Sequence, residues 1–412
     1  MNSDLQNGAL AGAVAACDAI GAAMLTRLTS RLGEDSGASG NVLACPVGLA
    51  LALATLRAGA ADNGTGIDAM LGVDTDAKTR DRVWSAVQRS LQRFDVADTQ
   101  QLQDFNPEAI PETPLLHIAN NILAIGQTQP TQDYLGNAKR WYGAEVNRAE
   151  RPKAKAALDA WANLHTGGLI KESAINVTPL TRLVVQNALL FAARWAKHFN
   201  AAATAERQPF TRADGSTARA DLMSRTGRLT FVTGPDWRAL RLRYVDGAGD
   251  SGSAGGSAAG SETLAMDVIL PRKVSSPIDL PPTTWGEATR RLTAAQTAGT
   301  TTNVHLRLPR LNLSSKPTDL TGVVKSLGVR LGFQDHIAPD LLVGQIVQQV
   351  KLVVAEAGTV AAALTEIKIR TGAPPRPEEP IDFTVDHPYV LRIVDLTSGI
   401  ALIEAAILDP AA

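Results

Sequence analysis

Residues able to do chemistry are sparse in this chain, and their spacing is poor. Gly249-Asp250-Ser251-Gly252 is a run of the kind that surrounds an activated serine. It lies in the stretch 247–261, almost pure Gly, Ser and Ala, and no histidine setting upstream supplies a base. The same glycines follow no strand and open no helix, so they make no dinucleotide cradle. His117, His165, His198, His305, His336 and His387 are scattered, without His-x-x-x-His or Cys-His ligand spacing. Such histidines read as surface or hydrogen-bonded groups rather than metal ligands. Cys17 and Cys45 are the only cysteines; two in a chain this long make no disulfide framework and read as free buried thiols. Asn63-Gly64-Thr65, Asn176-Val177-Thr178 and Asn312-Leu313-Ser314 fit the glycosylation triplet, which has meaning only in a secreted chain. No paired carboxylates and no Cys/His nucleophile stand out. The expectation is a protein without an active site of its own, without cofactor and without metal.

The stretch Glu356 to Phe383 departs from ordinary globular texture. Val350, Leu352 and Val354 alternate with Gln349, Lys351 and Val353, which predicts a strand leading into it, and Gly358 breaks that strand. A second β-competent segment follows. One face carries Thr359, Ala361, Ala363, Thr365, Ile367 and Ile369; the other carries Val360, Ala362, Leu364, Glu366, Lys368 and Arg370. The first face is small and apolar with two hydroxyls, and the second turns polar halfway along. Gly372-Ala373-Pro374-Pro375-Arg376-Pro377 then stops any strand, because three prolines remove three ladder donors. A β-competent segment therefore ends in an extended, exposed, proline-stiffened tip.

The elements that must hold this segment are legible from periodicity. The N-terminal Met1 to Leu28 reads as a helix exposed on one side, since it lacks a basic leader and Asp18 interrupts its apolar run. Cys45 to Leu56 is apolar all round with Pro46 placed for a first turn, hence a buried helix with an unusual Cys45 start. Val83, Val87, Leu91 and Phe94 mark an amphipathic helix, and residues 97–114 read as loop. Leu115 to Ile125 predicts a strand, Tyr134 and Ala138 a helix, and Val146 a short strand. Leu158, Trp161 and Leu164 mark a helix closed by Gly167-Gly168. Leu183 to Phe191 is a nearly continuous apolar run, as in a central strand buried on both faces, with Asn187 in its middle needing a polar partner. Short strands follow at 229–232, 239–244, 264–270 and 304–308, then a helix at 323–327 and strands at 389–394 and 400–407. The stretch 247–261 is a flexible hairpin loop.

Composition excludes several classes. With 40 basic and 41 acidic residues the net charge is -1, so no global field points to nucleic acid or an anionic membrane. No stretch approaches about 20 uninterrupted apolar residues, which argues against a membrane span. No signal peptide is evident, so a cytoplasmic protein, or one released by another route, is expected. Abundant alanine and the excess of arginine over lysine suggest a high-GC, bacterial genome.

From about residue 10 to Pro410 the order of elements and many local patterns resemble the serpin family. Asn41-Val42-Leu43 with Cys45-Pro46 resembles the start of that family's buried helix. Leu158-Asp159-Ala160-Trp161 through Thr166-Gly167-Gly168-Leu169-Ile170 resembles the helix crossing its large sheet. Asn187-Ala188-Leu189-Leu190-Phe191, with Trp195 and Phe199, is similar to its central strand. Met223-Ser224-Arg225-Thr226-Gly227, Leu308-Pro309-Arg310, Asp386-His387-Pro388-Tyr389 and Thr397-Ser398-Gly399 match in spacing and type.

The resemblance implies an α+β fold, one serpin domain over residues 1–412. It would have three β-sheets, about eight or nine helices and an exposed reactive-centre loop over about 356–383. It implies an irreversible suicide-substrate inhibitor of serine proteases, monomeric, with no nucleic-acid or membrane partner. A non-inhibitory carrier or chaperone of the same family is the alternative. The hinge would be Glu356, Gly358, Thr359, Ala361, Ala363 and Thr365, small residues that let the cut loop enter the sheet. Cleavage 16 residues after the hinge glutamate, 356 + 16 = 372, gives Gly372–Ala373, suited to elastase-like or subtilisin-like proteases. Arg370–Thr371 is the alternative and suits trypsin-like enzymes. The shutter positions fall on Cys45, Gly48, Asn187 and Gln348. The family has serines at the first two and a histidine at the last, and here Gln348 is expected to partner Asn187.

Overall fold

The computed structural model describes residues 3–34, 40–61, 64–73, 76–96, 98–106, 109–245, 263–359 and 379–411. The first half runs α1 (Ser3–Glu34), β1 (Val42–Ala44), α2 (Pro46–Leu56), α3 (Ile67–Met70), α4 (Ala77–Leu91) and α5 (Gln100–Gln103). It continues with β2 (Leu115–Ile125), α6 (Gln132–Tyr142), β3 (Glu145–Ala149), α7 (Arg151–His165) and β4 (Leu183–Arg194). The second half opens with β5 (Ala205–Thr211), β6 (Thr217–Thr233), β7 (Trp237–Arg243), β8 (Leu264–Pro271), α8 (Thr284–Thr297) and β9 (Thr302–Pro309). Then come β10 (Leu311–Ser314), β11 (Thr318–Asp319), α9 (Thr321–Ser326), β12 (Val347–Gln348), β13 (Lys351–Val354) and β14 (Gly358–Thr359). The chain closes with β15 (Ile381–Thr384), β16 (Tyr389–Asp395) and β17 (Ala401–Ile407).

Three sheets result among the described residues, in a mixed α+β fold. Six strands take the order β10-β13-β14-β4-β2-β3; a larger sheet runs β1-β17-β16-β8-β7-β6-β9-β15 with β5 on β6; β11 and β12 form a small pair. The long β6 joins two lobes of the larger sheet, pairing β7 through Thr230–Thr233 and β9 through Leu222–Leu229.

Local sequence explains most elements. Asp76 caps α4 by accepting from the Thr79 amide, and Thr131 caps α6 by accepting from Tyr134. Gly143 ends α6 in the left-handed conformation that a side chain disfavours. α2 is hydrophobic all round because it is core: of its 11 residues only Ala52 is not buried. The window Gly8–Arg31 of α1 is apolar enough by length and composition to cross a bilayer, more than the reading by uninterrupted runs allowed. Here its Ala13, Cys17, Ile20, Met24 and Leu25 pack into the main core, and its Asp18 pairs with buried Arg392.

Two expectations change. Residues 97–114 contain the short helix α5, and α8 was not anticipated, because its apolar positions are few and its threonines and arginines mask the period. β4 was expected to be buried on both faces. Leu183, Val185, Gln186, Asn187 and Leu189 are only half-buried, because the edge of β4 away from β2 borders a cleft. The hairpin stretch 247–261, with Asp250 and Ser251, lies outside the described residues.

Candidate functional site

The site is an interrupted sheet with the start of a strand seated at its mouth. β4 pairs along one edge with β2, from Leu183↔Ala124 to Ala192↔Leu115. On its other edge, among the described residues, only Arg194 and Ala193 pair, with Gly358 and Thr359. β13 pairs β10 outside and, among the described residues, meets β14 only at Val354↔Thr359. Leu183 to Phe191 thus face a cleft of about 490 Å³, whose other wall runs through Leu341 to Val353 and whose floor is α2. Backbone donors and acceptors along such an edge are a template for a further strand.

The seat at the mouth is closely specified. Ala355 to Gly358 makes a tight turn, with the Ala355 amide donating to Gly358 O at 2.9 Å. Trp195 holds it twice, its amide donating to Ala357 O (3.0 Å) and its indole Nε1 to Ala355 O (2.8 Å). The Phe199 amide donates to Glu356 O (3.0 Å). A Cβ at position 358 would lie 2.3 Å from Ala193 O and 2.8 Å from Arg194 Cα, so glycine is required by backbone approach. Thr359 is buried, its Oγ1 2.6 Å from the hydroxyl of Tyr244, which stacks on Trp195 at 4.6 Å. Glu356 accepts from Thr204 Oγ1 (2.6 Å) and from Arg310, which also reaches Asp221. Burial opposes charge on Glu356, but the hydrogen bonds from Arg310 and then Thr204 outweigh it and hold the carboxyl below its ordinary range.

The four positions expected to form a shutter, Cys45, Gly48, Asn187 and Gln348, all line the cleft, in a different arrangement from the expected one. Gln348 does not reach Asn187. It closes a two-way bond with the start of α2, the Cys45 amide donating to Oε1 (2.8 Å) and Nε2 donating to Cys45 O (3.0 Å). Cys45 offers no side-chain cap, and Gln348 supplies the acceptor for the backbone amide of this N-cap residue. Asn187 turns to β2 instead, donating to Asn120 Oδ1 (3.0 Å) and Ala119 O (3.3 Å). The correction has a geometric cause: β4 and the 345–350 segment stand on opposite walls of the cleft. Gly48 fits against Asn187, since a Cβ there would lie 2.8 Å from Asn187 Oδ1 and 2.9 Å from Cys45 Sγ. Burial pushes the Cys45 thiol up to about 12.

Of the expected hinge, Glu356, Gly358 and Thr359 come together here. Ala361, Ala363 and Thr365 lie outside the described residues, as do both reactive-bond pairs, Gly372–Ala373 and Arg370–Thr371. Sequence reading missed Thr204 and Tyr244 as anchors of the seat; each lies more than a hundred residues away in the chain, and no local period marks them. It missed equally that His117 and His165, 48 positions apart, hydrogen-bond to each other.

The family model for Serpin (serine protease inhibitor) matches residues 22–410. The chain therefore belongs to the serpin family. Among similar proteins, a putative serpin-Z8 of Oryza sativa is 28% identical, with 94% of each chain covered. An uncharacterised serpin-like protein of Thermococcus kodakarensis is 27% identical over 68% of this chain and 63% of that one. A plasminogen activator inhibitor 1 of Neovison vison is 24% identical, covering 83% of this chain and 84% of its own. Among solved structures, the thermophilic serpin tengpin in its native state superposes with a TM-score of 0.74 at 17% identity, over 99% of this chain and 95% of that one. Human thyroxine-binding globulin gives 0.74 at 18%, over 96% and 98%. At these identities the structural likeness speaks to the fold alone.

Proposed function

We propose that this chain is a suicide-substrate inhibitor of serine proteases, and that the cleft beside β4 receives its own cut loop as a new strand. The observation that carries this reading is the register at the cleft mouth. Gly358↔Arg194 and Thr359↔Ala193 both sum to 552. Continued in register, Ala361 would meet Phe191, Ala363 would meet Leu189, Thr365 would meet Asn187 and Ile369 would meet Leu183 (552 − 183 = 369). The open edge of β4 and the β-competent stretch before the proline tip thus have the same length. Directly opposed residues share a face, so Thr365 would point with Asn187 toward Gly48 of α2. Glu366 would point with Gln186, whose side chain bonds Ser173 beside α7.

The protease serine would attack the carbonyl carbon of Gly372, expel the Ala373 amine and leave an ester to the loop. Insertion would then carry the bound protease along the sheet and distort its active site before water completes hydrolysis. Loss of oxyanion-hole geometry alone slows such a step by ~10²–10³. A small residue before the cut favours elastase-like or subtilisin-like targets; a cut at Arg370–Thr371 would suit trypsin-like enzymes. In this reading residues 1–412 act as one monomeric unit that supplies bait and trap and catalyses nothing itself. Incubation with an elastase-like or subtilisin-like protease is expected to give an SDS-resistant 1:1 complex, with mass spectrometry placing the cut. Clean turnover of the loop without complex, across a broad protease panel, would count against the proposal and favour a non-inhibitory member of the family.

A further inference from the structure

A buried hydrogen-bonded chain joins α7 to the sheet beneath it. Asp95 Oδ1 lies 2.6 Å from His117 Nδ1, His117 Nε2 lies 2.9 Å from His165 Nδ1, and His165 Nε2 lies 3.2 Å from Glu145 Oε1. His117 belongs to β2, Glu145 to β3, and His165 is the last residue of α7. Both imidazoles are buried. The rings are nearly parallel (13°) with centroids 5.2 Å apart, the sum of two ring radii and one N···N bond. They therefore meet edge to edge, where an N–H and a lone pair point at each other, rather than face to face.

Counting protons decides what this chain is. It has three gaps, and each needs one hydrogen. Two neutral imidazoles carry only two N–H groups. If those point outward to Asp95 and Glu145, two bare nitrogen lone pairs face each other at 2.9 Å. The arrangement is satisfied only when a third proton is bound, so that His117 and His165 share it between two carboxylates. The surroundings suit a cation. Trp161 lies over His165 at 4.5 Å and donates its Nε1–H to Glu145 Oε2 at 3.1 Å. Hydrogen bonding from His165 holds the Glu145 carboxyl below its ordinary range, against the effect of burial. Asp95 is fixed by the Val96 amide. Arg93, two residues before Asp95, is engaged with Asp395. β4 presents Leu190 opposite His117.

We propose that this four-residue chain is a proton-dependent latch that holds the C-terminal end of α7 on the sheet, and that loss of the shared proton loosens it. Trp161, Ala162 and Thr166 at that end of α7 line the cleft beside β4. A strand entering the cleft must pass them, so the latch sets how readily α7 yields. That last step rests on the inhibitory reading above; the latch itself does not.

The test is amide hydrogen exchange of the last two turns of α7, corrected for intrinsic rates, across about pH 5 to 8, where imidazoles ordinarily change charge. Protection in the unaltered protein is expected to fall about tenfold as pH rises. In His117→Gln, whose amide donates and accepts at every pH, the dependence is expected to vanish. Nitrogen-detected NMR of the imidazoles should show the pair losing one proton in a single shared step. Protection of α7 that does not change with pH, or two imidazoles titrating independently, would overturn the proposal; both are read on the unaltered protein if the variant fails to fold. Failure to form any protease complex, with the exchange result intact, would remove the inhibitory reading and leave the latch standing.

Discussion

Placing the same charge at two adjacent loop positions tests whether the cleft beside β4 is filled in the register set by Gly358 and Thr359. Thr365→Arg and Glu366→Arg alter neighbouring residues, but the 552 sum sends them to opposite faces of the sheet. At 365 a guanidinium would enter against Gly48 and Asn187, on the side floored by α2, where Leu49, Ala52 and Leu53 offer no acceptor side chain. Asn187 Oδ1, beside Gly48, could accept from only one of the five guanidinium N–H groups. Burying an unpaired polar group there costs about 3 kcal/mol. If most of that cost is felt as the strand enters, insertion slows about 100-fold. At 366 the position is already charged, and its neighbour Gln186 bonds Ser173 at the half-open border of α7, so arginine there is expected to change insertion by less than about threefold. The assay is the stoichiometry of inhibition with an elastase-like protease, followed by the fraction of SDS-resistant complex. Thr365→Arg should turn most encounters into simple cleavage, with the stoichiometry rising well above that of the unaltered protein; Glu366→Arg should leave it close to the original. Equal effects at the two positions, or the larger effect at 366, would refute the register.

Further outcomes follow from the seat and the cleft. Glu356→Gln removes a charged acceptor for Arg310 and Thr204 and should lower stability by about 1 kcal/mol at neutral pH. Because the Glu356 carboxyl is held low in the folded state, that contribution is complete above the ordinary range near pH 4.3 and is lost as pH falls through the lower folded value. Melting curves of the two proteins should therefore converge in acid; a difference that persists undiminished would exclude the ion pair as its source. Gly48→Ala forces the Asn187 amide or the Cys45 side chain aside and should cost about 1–2 kcal/mol in chemical denaturation, whereas an unchanged midpoint would mean that the close approach of these groups is not maintained. Cys17 and Cys45 are both buried with thiols pushed above their ordinary range, so neither should be alkylated at neutral pH in the native protein while both react in denaturant; rapid native labelling of Cys45 would show that the α2 end opens freely.

Local pattern carried far in this chain. The alternation through Val350, Leu352 and Val354 and the apolar run after Leu183 located two walls of the cleft, and Pro46 located the helix that floors it. The small residues after Gly358 gave rise to the proposal that this segment enters a sheet. Legibility ended where a contact joins residues far apart in the chain. Asn187 was recognised as a buried amide in need of a partner, yet Gln348 was expected to supply it when Asn120, on the neighbouring strand, does so. A pattern of period two says which face a side chain takes; it does not say which neighbouring strand lies within reach.

Sequence by itself determined that this protein is a serpin-fold chain, because periodicity, turn residues and many ordered local motifs are properties of neighbouring residues. Tertiary structure alone decided that Thr204, Tyr244, Trp195 and Arg310 converge on Glu356 to Thr359, that Gln348 serves the Cys45 end of α2, and that His117 and His165 meet beneath α7. Each of these depends on the packing of strands and helices brought together across long loops. The physical reason is range: side-chain periodicity is set within a few residues, while hydrogen-bond partners for buried polar groups are chosen by whatever the fold places within 3 Å.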